Sequence, residues 1–542
     1  MAEQSLPHRR HIMENYRILV LDPVSEDGIK ELLDHPNYDV DVNTGLSEEE
    51  ILETVHDYHA LIVRSQTIVT EEIIRYARQL RVIARAGVGV DNIDIDAATK
   101  HGVIVINAPD GNTISATEHT MAMMLSLTRD IPAAHKELSE GTWNRKGHKG
   151  TEMYGKTLGI IGVGKIGFGV AKRAQSFGMR IIAFDPYLSD DKAQEAEIEK
   201  MEVDEIAAQA DFLTVHTPLT PQTKGIVGED FFDKTKPGLK IVNVARGGII
   251  DEDALIKALD GGRADGAALD VFEEEPPTDM KLLNHPKVVV TPHLGASTVE
   301  AQEKVAISVS REIIDILENN TIVHAVNAPR ISENINKELK PYINIASHMG
   351  EVGIQLMNRP PSEIKLKYHG ELAIDDTSIL TRSFVSSMLK PHLGENVNII
   401  NALYLLQEQD VVYKVEKKGK AHGYSNYLEA ELINEDETLV LGASVLNGYG
   451  ERIVKINEFQ VDIKPTKHLL FIDHQDRPGI IGEMGITLGT HKVNIASMQL
   501  GRHDEGGNAL LSLSLDQGVN DEAMKELSKI KGFNGLKQVD LS

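Results

Sequence analysis

No stretch of this chain leaves the backbone fewer choices than Leu158-Gly-Ile-Ile-Gly-Val-Gly-Lys-Ile-Gly167. Its apolar start reads as a buried strand, and Gly162, Gly164 and Gly167 then fill a G-x-G-x-x-G pattern. The first glycine permits a tight turn. The second lets backbone approach a pyrophosphate, and the third lets the next helix pack close to the strand. The free N–H groups of that helix face the pyrophosphate. Helical spacing runs from Phe168 to Gly178, and Arg180-Ile-Ile-Ala-Phe-Asp185 is a second strand. A carboxylate at its end, Asp185, can bind two ribose hydroxyls and would repel a 2′-phosphate, so the expected cofactor is NAD. Alone the pattern is weak; strand, helix, strand and terminal Asp make it strong. A glycine-rich turn in an ordinary α/β domain is the alternative.

The 542 residues suffice for about three or four domains. With 56 basic and 82 acidic residues the formal net charge is −26, which disfavours nucleic acid or an anionic membrane as a partner. An anionic substrate must therefore be captured by local cations against the global field. The chain has no cysteine, hence no disulfide, thiolate metal site or Cys nucleophile; no metal site is expected. Without an apolar run of about 18 residues or a signal-like start, the expected compartment is the cytoplasm. The stretch around Pro7-His-Arg-Arg-His11 reads as a loose tail.

From Arg17 the chain alternates short apolar strands with helices, which means a parallel sheet covered on both faces. Strands are expected at 17–22, 38–42, 60–64, 81–85 and 103–107, with a helix from Ser47 opened by a Ser47/Glu50 capping box. Arg64 and Arg85 close their strands, where ligands gather in such sheets; ordinary surface ion pairs are the alternative. An apolar helix covers Thr113 to Thr128, and a polar link then carries Trp143-Asn-Arg-Lys-Gly-His-Lys149. The nucleotide motif thus lies inside a second domain, whose further strands end at Thr217, Arg246, the Glu273-Glu-Glu275 run and His293. A long helix, Val299 to Asn319, can return to cover the first domain, making it discontinuous.

Beyond Asn327 the pattern becomes α+β, punctuated by prolines at 329, 341, 360 and 361. Lys417, Lys418, Lys420 and His422 form a basic cluster that a solvated loop explains equally well. The last part, from His468, reads β-α-β-β-α-β, a ferredoxin-like unit.

Oxidising a 2-hydroxy acid needs a base for the hydroxyl proton, a cation for the carboxylate and nascent carbonyl, and a carboxylate to orient the base. His293, Arg246 and a glutamate of the 273–275 run supply that set from strand ends. Spacing alone does not choose among the three glutamates, and a structural role for His293 stays open.

These stretches resemble the D-2-hydroxyacid dehydrogenase family from Arg17 to Asn327. The matching runs are Arg85-Ala-Gly-Val-Gly-Val-Asp-Asn92, Asn107-Ala-Pro-Asp-Gly-Asn112, the glycine loop, Asn243-Val-Ala-Arg-Gly-Gly248, Ala268-Leu-Asp-Val-Phe272 and Pro292-His-Leu-Gly-Ala-Ser-Thr298. With the downstream segments, essentially the whole chain is similar to the family's long, serine-synthesising branch. The resemblance selects Glu275, which precedes the proline, as third member of a catalytic set with Arg246 and His293. It assigns Gly162, Gly164, Lys165, Ile166, Gly167, Asp185, Thr217, Ala245 and Asp270 to NAD. Arg64, Arg85 and Asn112 go to the substrate, and Arg145 of the Trp-bearing link is a further candidate for a substrate phosphate.

The implied reaction is NAD-dependent oxidation of 3-phospho-D-glycerate to 3-phosphohydroxypyruvate, the first step of L-serine synthesis. Oxidation of another D-2-hydroxy acid, or an NAD-sensing interaction protein, are the alternatives. Lys165 stands where relatives often have Arg, and Asp110 where Asn is common.

The fold so implied is α/β. A Rossmann-like nucleotide domain (109–300) is inserted in a flavodoxin-like substrate domain (16–108 plus 301–327), after a tail of 1–15. An α+β domain resembling allosteric substrate-binding domains (328–465) and a ferredoxin-like ACT domain (466–542) follow. ACT modules bind small amino acids between paired copies. Here His474, Asp476 and Asn494 match the serine-binding positions, so L-serine is the expected effector and a homo-oligomer, tetramer or dimer, the expected assembly. Asp476 departs from Asn: it can accept from an ammonium but cannot donate to a carboxylate.

Overall fold

A computed structural model describes residues 15–331, 333–373, 376–419, 423–502 and 504–541, with the side chains of 333–338 left aside. Residues 1–14 of the expected tail, and Lys420 and His422, lie outside the described residues.

The first sheet is built from β1 (Tyr16–Val20), β2 (Tyr38–Val42), β3 (Ala60–Val63), β4 (Val82–Arg85) and β5 (Ile104–Asn107), all parallel, in the order β2-β1-β3-β4-β5. That is the flavodoxin-like order. Its strands are short apolar runs because both faces are covered; Ala60–Val63 is wholly buried. Ser47 and Glu50 form the expected capping box. Helix Val299–Asn319 returns to this sheet and lays Val305, Ala306, Val309 and Ile313 into the core that holds Ile18, Val20 and Ile29. The approach is so close that a Cβ on Gly28 would lie 2.4 Å from that of Ala306.

The second sheet comprises β6 (Thr157–Ile161), β7 (Arg180–Phe184), β8 (Glu199–Lys200), β9 (Phe212–Val215), β10 (Leu239–Asn243), β11 (Ala264–Leu269) and β12 (Val288–Val290). Their order, β12-β11-β10-β9-β6-β7-β8, is parallel throughout and reverses between β6 and β9. Ligands sit at such a switch point. The chain crosses between the two sheets twice, through the turn before helix Thr113–Arg129 and ahead of helix Val299–Asn319. The crossings touch where the Ser115 and Thr298 hydroxyls share a hydrogen bond of 2.7 Å.

The segment read as a polar link after Thr128 contains a further helix, Ile131–Ser139. Pro132 suits its first turn, but none of its residues is buried, so no apolar period announced it.

A third sheet joins β13 (Glu363–Gly370), β14 (Val412–Lys418), β15 (Asn426–Ile433), β16 (Thr438–Leu446), β17 (Gly450–Ile456) and β18 (Phe459–Ile463) in the order β14-β13-β15-β16-β17-β18. Two helices, Glu333–Leu356 and Ser378–Leu393, pair beside it. Pro341 lies inside the first rather than ending a segment. A fourth, antiparallel sheet orders β19 (His468–Gln475), β20 (Ile495–Arg502), β21 (Asn508–Leu515) and β22 (Phe533–Asp540) as β20-β21-β19-β22, with helices Ile480–Thr490 and Asp521–Leu527. This is the expected ferredoxin-like topology. Among the described residues no helix is long and apolar enough to cross a membrane.

Candidate active site

The glycine loop leaves β6 at the switch point, and its three glycines do three jobs. Gly162 has φ +94°, and a Cβ there would lie 2.8 Å from His216 backbone and from Thr217. Gly167 presses the helix Lys165–Ser176 onto the loop: a Cβ would sit 2.2 Å from the Gly162 carbonyl. Gly164, at the helix N-cap, faces open space. A ligand can therefore approach its backbone, and the first-turn N–H groups that include Lys165 and Ile166. Asp185 follows β7 and accepts from Val163 N and Tyr187 N, both at 2.8 Å, which fixes its carboxylate beside the loop. Thr217 Oγ1 is buried beside Gly162 with no partner of its own.

Across the cleft, His293 Nδ1 lies 2.6 Å from Glu275 Oε2. Glu274 Oε2 accepts from Thr278 Oγ1 at 2.9 Å, and Glu273 donates its backbone N–H to Glu252 Oε1 at 2.7 Å. Burial opposes ionisation of Glu275. The His293 hydrogen bond, the His293 charge, the Phe272 N–H and the Arg246 charge outweigh it, and its pKa falls below the usual carboxylate range. His293 has φ +53°, an unusual conformation for a residue with a Cβ. Asp270, fully buried, pins that bend. Its carbonyl accepts from His293 N (2.9 Å), and its carboxylate from Leu294 N (2.7 Å), Gly295 N (2.8 Å) and Thr291 Oγ1 (2.5 Å), with His119 Nε2 at 3.2 Å. Asp270 thus acts beneath the cleft, through the loop that presents His293.

Arg246 reaches from the second sheet to the first, where Nε donates to Asp91 Oδ2 at 3.1 Å. Gly89 makes room: a Cβ would lie 1.9 Å from the Arg246 guanidinium. Ala245 and Asn243 hold the arginine's turn, Ala245 O accepting from Arg246 Nη1 (2.7 Å) and Asn243 Nδ2 donating to Arg246 O (2.8 Å). Arg85 lies beside it. Burial, then the charges of Arg246 and Arg64, push its pKa down to about 10, and its Nε has no partner. The Arg64 side chain donates to Pro23 O at 3.1 Å, and Asn92, next to Asp91, donates to the Arg64 carbonyl at 2.7 Å. Three arginines converge although the chain is strongly acidic. Asn112 heads helix Thr113–Arg129 with its Oδ1 buried and unpartnered.

Arg145 is not part of this cluster. It stands exposed on the 140–150 segment beside Trp143, which is 81% exposed. Sequence reasoning passed over Asp91, whose only signal was its place after the Gly87-Val-Gly turn. It also passed over His216, buried under the glycine loop. Burial pushes the His216 imidazole down to about 4, so it is neutral there, with Nδ1 unpartnered.

Comparison with known proteins agrees with this geometry. A family model for the NAD binding domain of D-isomer specific 2-hydroxyacid dehydrogenases matches residues 121–295. The chain is 44% identical to a Bacillus subtilis D-3-phosphoglycerate dehydrogenase, over 97% of this chain and 100% of that one. The chain belongs to the D-3-phosphoglycerate dehydrogenase family. A Methanocaldococcus jannaschii enzyme of the same name is 41% identical over the same shares. Among solved structures, an NAD+-bound 3-phosphoglycerate dehydrogenase from Entamoeba histolytica matches with TM-score 0.50 and 30% identity, covering 58% of this chain and 99% of that one. A glyoxylate reductase from Paecilomyes thermophila matches with TM-score 0.53 and 29% identity, over 58% and 98%. NAD is the cofactor of this dehydrogenase family member, and the glycine loop, Asp185 and the orphaned Thr217 hydroxyl fit it.

Two further models extend the D-3-phosphoglycerate dehydrogenase match past the catalytic part: its intervening domain at residues 338–457 and an ACT domain at 468–532. An ACT domain implies regulation by a small molecule. In it, His474 is 1% exposed with Nε2 unpartnered, and Asp476 accepts from Arg502 Nη1 at 3.0 Å. Asn494 lies elsewhere, donating to Asp516 Oδ2 at 2.6 Å. Strand register sets the separation. His474 pairs with Ala509 at one end of β21, and Asp516 follows Leu515 at the other, roughly 20 Å away at the rise of a strand. One chain therefore unites His474 with Asp476 and leaves Asn494 at the opposite end.

Proposed function

We propose that this chain oxidises 3-phospho-D-glycerate to 3-phosphohydroxypyruvate with NAD in the cytoplasm, opening L-serine synthesis. The observation that carries it is the convergence of Arg246, Arg85 and Arg64 opposite the His293–Glu275 pair. One cation answers the carboxylate and polarises the nascent carbonyl; two more answer a phosphate that lactate or glycerate lacks. His293, its Nδ1 donating to Glu275, uses Nε2 to take the hydroxyl proton. Glu275 fixes that tautomer and stabilises the imidazolium that forms. Asn112, with its free Oδ1, orients the substrate. Gly162, Gly164, Lys165, Ile166 and Gly167 hold the pyrophosphate, Asp185 the adenosine ribose, and Thr217 and Ala245 line the remaining path. Asp270, assigned to NAD by resemblance, is buried beneath that path and supports it through the His293 loop. NAD, when bound, accepts the hydride.

A panel of 2-hydroxy acids with NAD, followed by NADH absorbance, tests the assignment. 3-Phosphoglycerate should have the highest kcat/KM, and Arg85→Met should abolish its advantage over glycerate. Equal use of glycerate by the unaltered enzyme would refute the phosphate assignment.

L-Serine is the proposed effector, held between paired ACT modules. His474 and Asp476 come from one copy and Asn494 from the other, within a homo-oligomer (dimer or tetramer). The opposite placement of these residues in one chain favours that pairing. Calorimetry of full-length enzyme with serine tests it: absence of both binding and rate change at millimolar serine rejects it.

A further inference from the structure

The two departures from the family pattern, Lys165 and Asp110, meet in space. Lys165 opens the helix Lys165–Ser176 directly after Gly164. Asp110 lies in the turn between β5 and helix Thr113–Arg129, and the two side chains form an ion pair. The turn is held firmly, since a Cβ on neighbouring Gly111 would lie 2.2 Å from Val305. Asp110 thus presents a negative charge at the edge of the proposed pyrophosphate site. Both partners are open to solvent, 66% and 62% exposed, so the pair can exchange quickly.

An ammonium is one charge on a flexible stem. It cannot give its full attraction to the Asp110 carboxylate and to an arriving pyrophosphate together. We propose that Asp110 is a positioning residue for the cofactor: it holds Lys165 in the empty enzyme, competes with the pyrophosphate for it, and thereby speeds dinucleotide release. The proposal rests on the placement of NAD given above. Since the pair is exposed, its effect is moderate and falls with salt.

Asp110→Asn keeps the side-chain shape and removes the charge. ADP and NADH should then bind about three- to fivefold tighter, with NADH leaving more slowly in stopped-flow fluorescence and the gain shrinking at high salt. Adenosine, lacking phosphate, should bind as before. Unchanged or weaker ADP binding in Asp110→Asn overturns the proposal, as does an equal gain for adenosine. Lys165→Met separates failures: it should weaken ADP binding. If it does not, the pyrophosphate placement itself falls. If it does while Asp110→Asn changes nothing, only the competition is refuted. Melting curves of both variants show that each stays folded.

Discussion

The catalytic cleft and the ACT module handle their polar groups in opposite ways. In the cleft, groups from two sheets converge within one chain, and several buried atoms have no protein partner: Arg85 Nε, Asn112 Oδ1 and Thr217 Oγ1. In the ACT module, two of the three expected ligand groups are already engaged, Asp476 by Arg502 and Asn494 by Asp516, and the trio is split between the ends of a sheet. Buried polar atoms without partners are costly, so a site that carries them is built for a ligand. The ACT trio also holds one such atom, His474 Nε2, but its other two groups are engaged and one of them lies at the far end of the sheet, so it needs a second surface before it can select a ligand. On the proposed reading, catalysis is a property of the chain, and control a property of an assembly.

The largest expected effect tests the self-contained cleft. His293→Ala should lower kcat by about 10²- to 10⁴-fold, measured at saturating substrate; near-native turnover in a folded variant would remove His293 as the base. Arg246→Ala should follow, lowering kcat and raising KM together, with kcat/KM down about tenfold or more. A change in KM alone would leave Arg246 as a binding residue. Asp185→Ala should weaken NAD binding by about tenfold and narrow the preference over NADP, as titration of NADH and NADPH fluorescence would show.

Asn494→Ala sharpens the other side of the comparison. It should abolish the serine response while leaving the uninhibited rate within about twofold of wild type, in line with a surface substitution far from the cleft. Mixing it with a His474→Ala variant should restore response in part of the hetero-oligomers; restoration in none would place the whole site within one chain.

The smallest effect concerns His148, whose ring bridges Asp130 and Glu137 on the Trp143-bearing segment. The Asp130 and Glu137 hydrogen bonds raise its pKa. A raised folded-state pKa means that its stabilisation is full below the ordinary histidine value of about 6.5 and is lost as pH rises through the raised value. The Tm gap between wild type and His148→Gln should therefore be full below about pH 6.5 and close as the pH rises above it. A gap independent of pH would contradict the assignment.

Much of the fold was legible because parallel strands buried on both faces appear as uniform apolar runs, and glycines mark loops where a Cβ has no room. Helix Val299–Asn319 was read to the residue because its apolar stripe faces a core. Helix Ile131–Ser139 buries nothing and left no period to find. Pro341 was read as punctuation, although the packed helix Glu333–Leu356 tolerates it. At the site, Glu275 was singled out by resemblance, and the fold then puts its carboxylate against His293. Asp91 on Arg246 and Asp110 on Lys165 join residues far apart in sequence. No local pattern encodes such pairs; they exist only once two sheets face each other.

The two chain crossings between those sheets lie side by side, bridged by Ser115 and Thr298. A single tether would act as a ball joint, free to swing and twist. Paired tethers act as a door hinge: swinging about the line through both is easy, while twisting would stretch one against the other. A swing about that line would separate Arg246 from Asp91 without sliding one wall along its neighbour, and the return swing would bring the same atoms back into register.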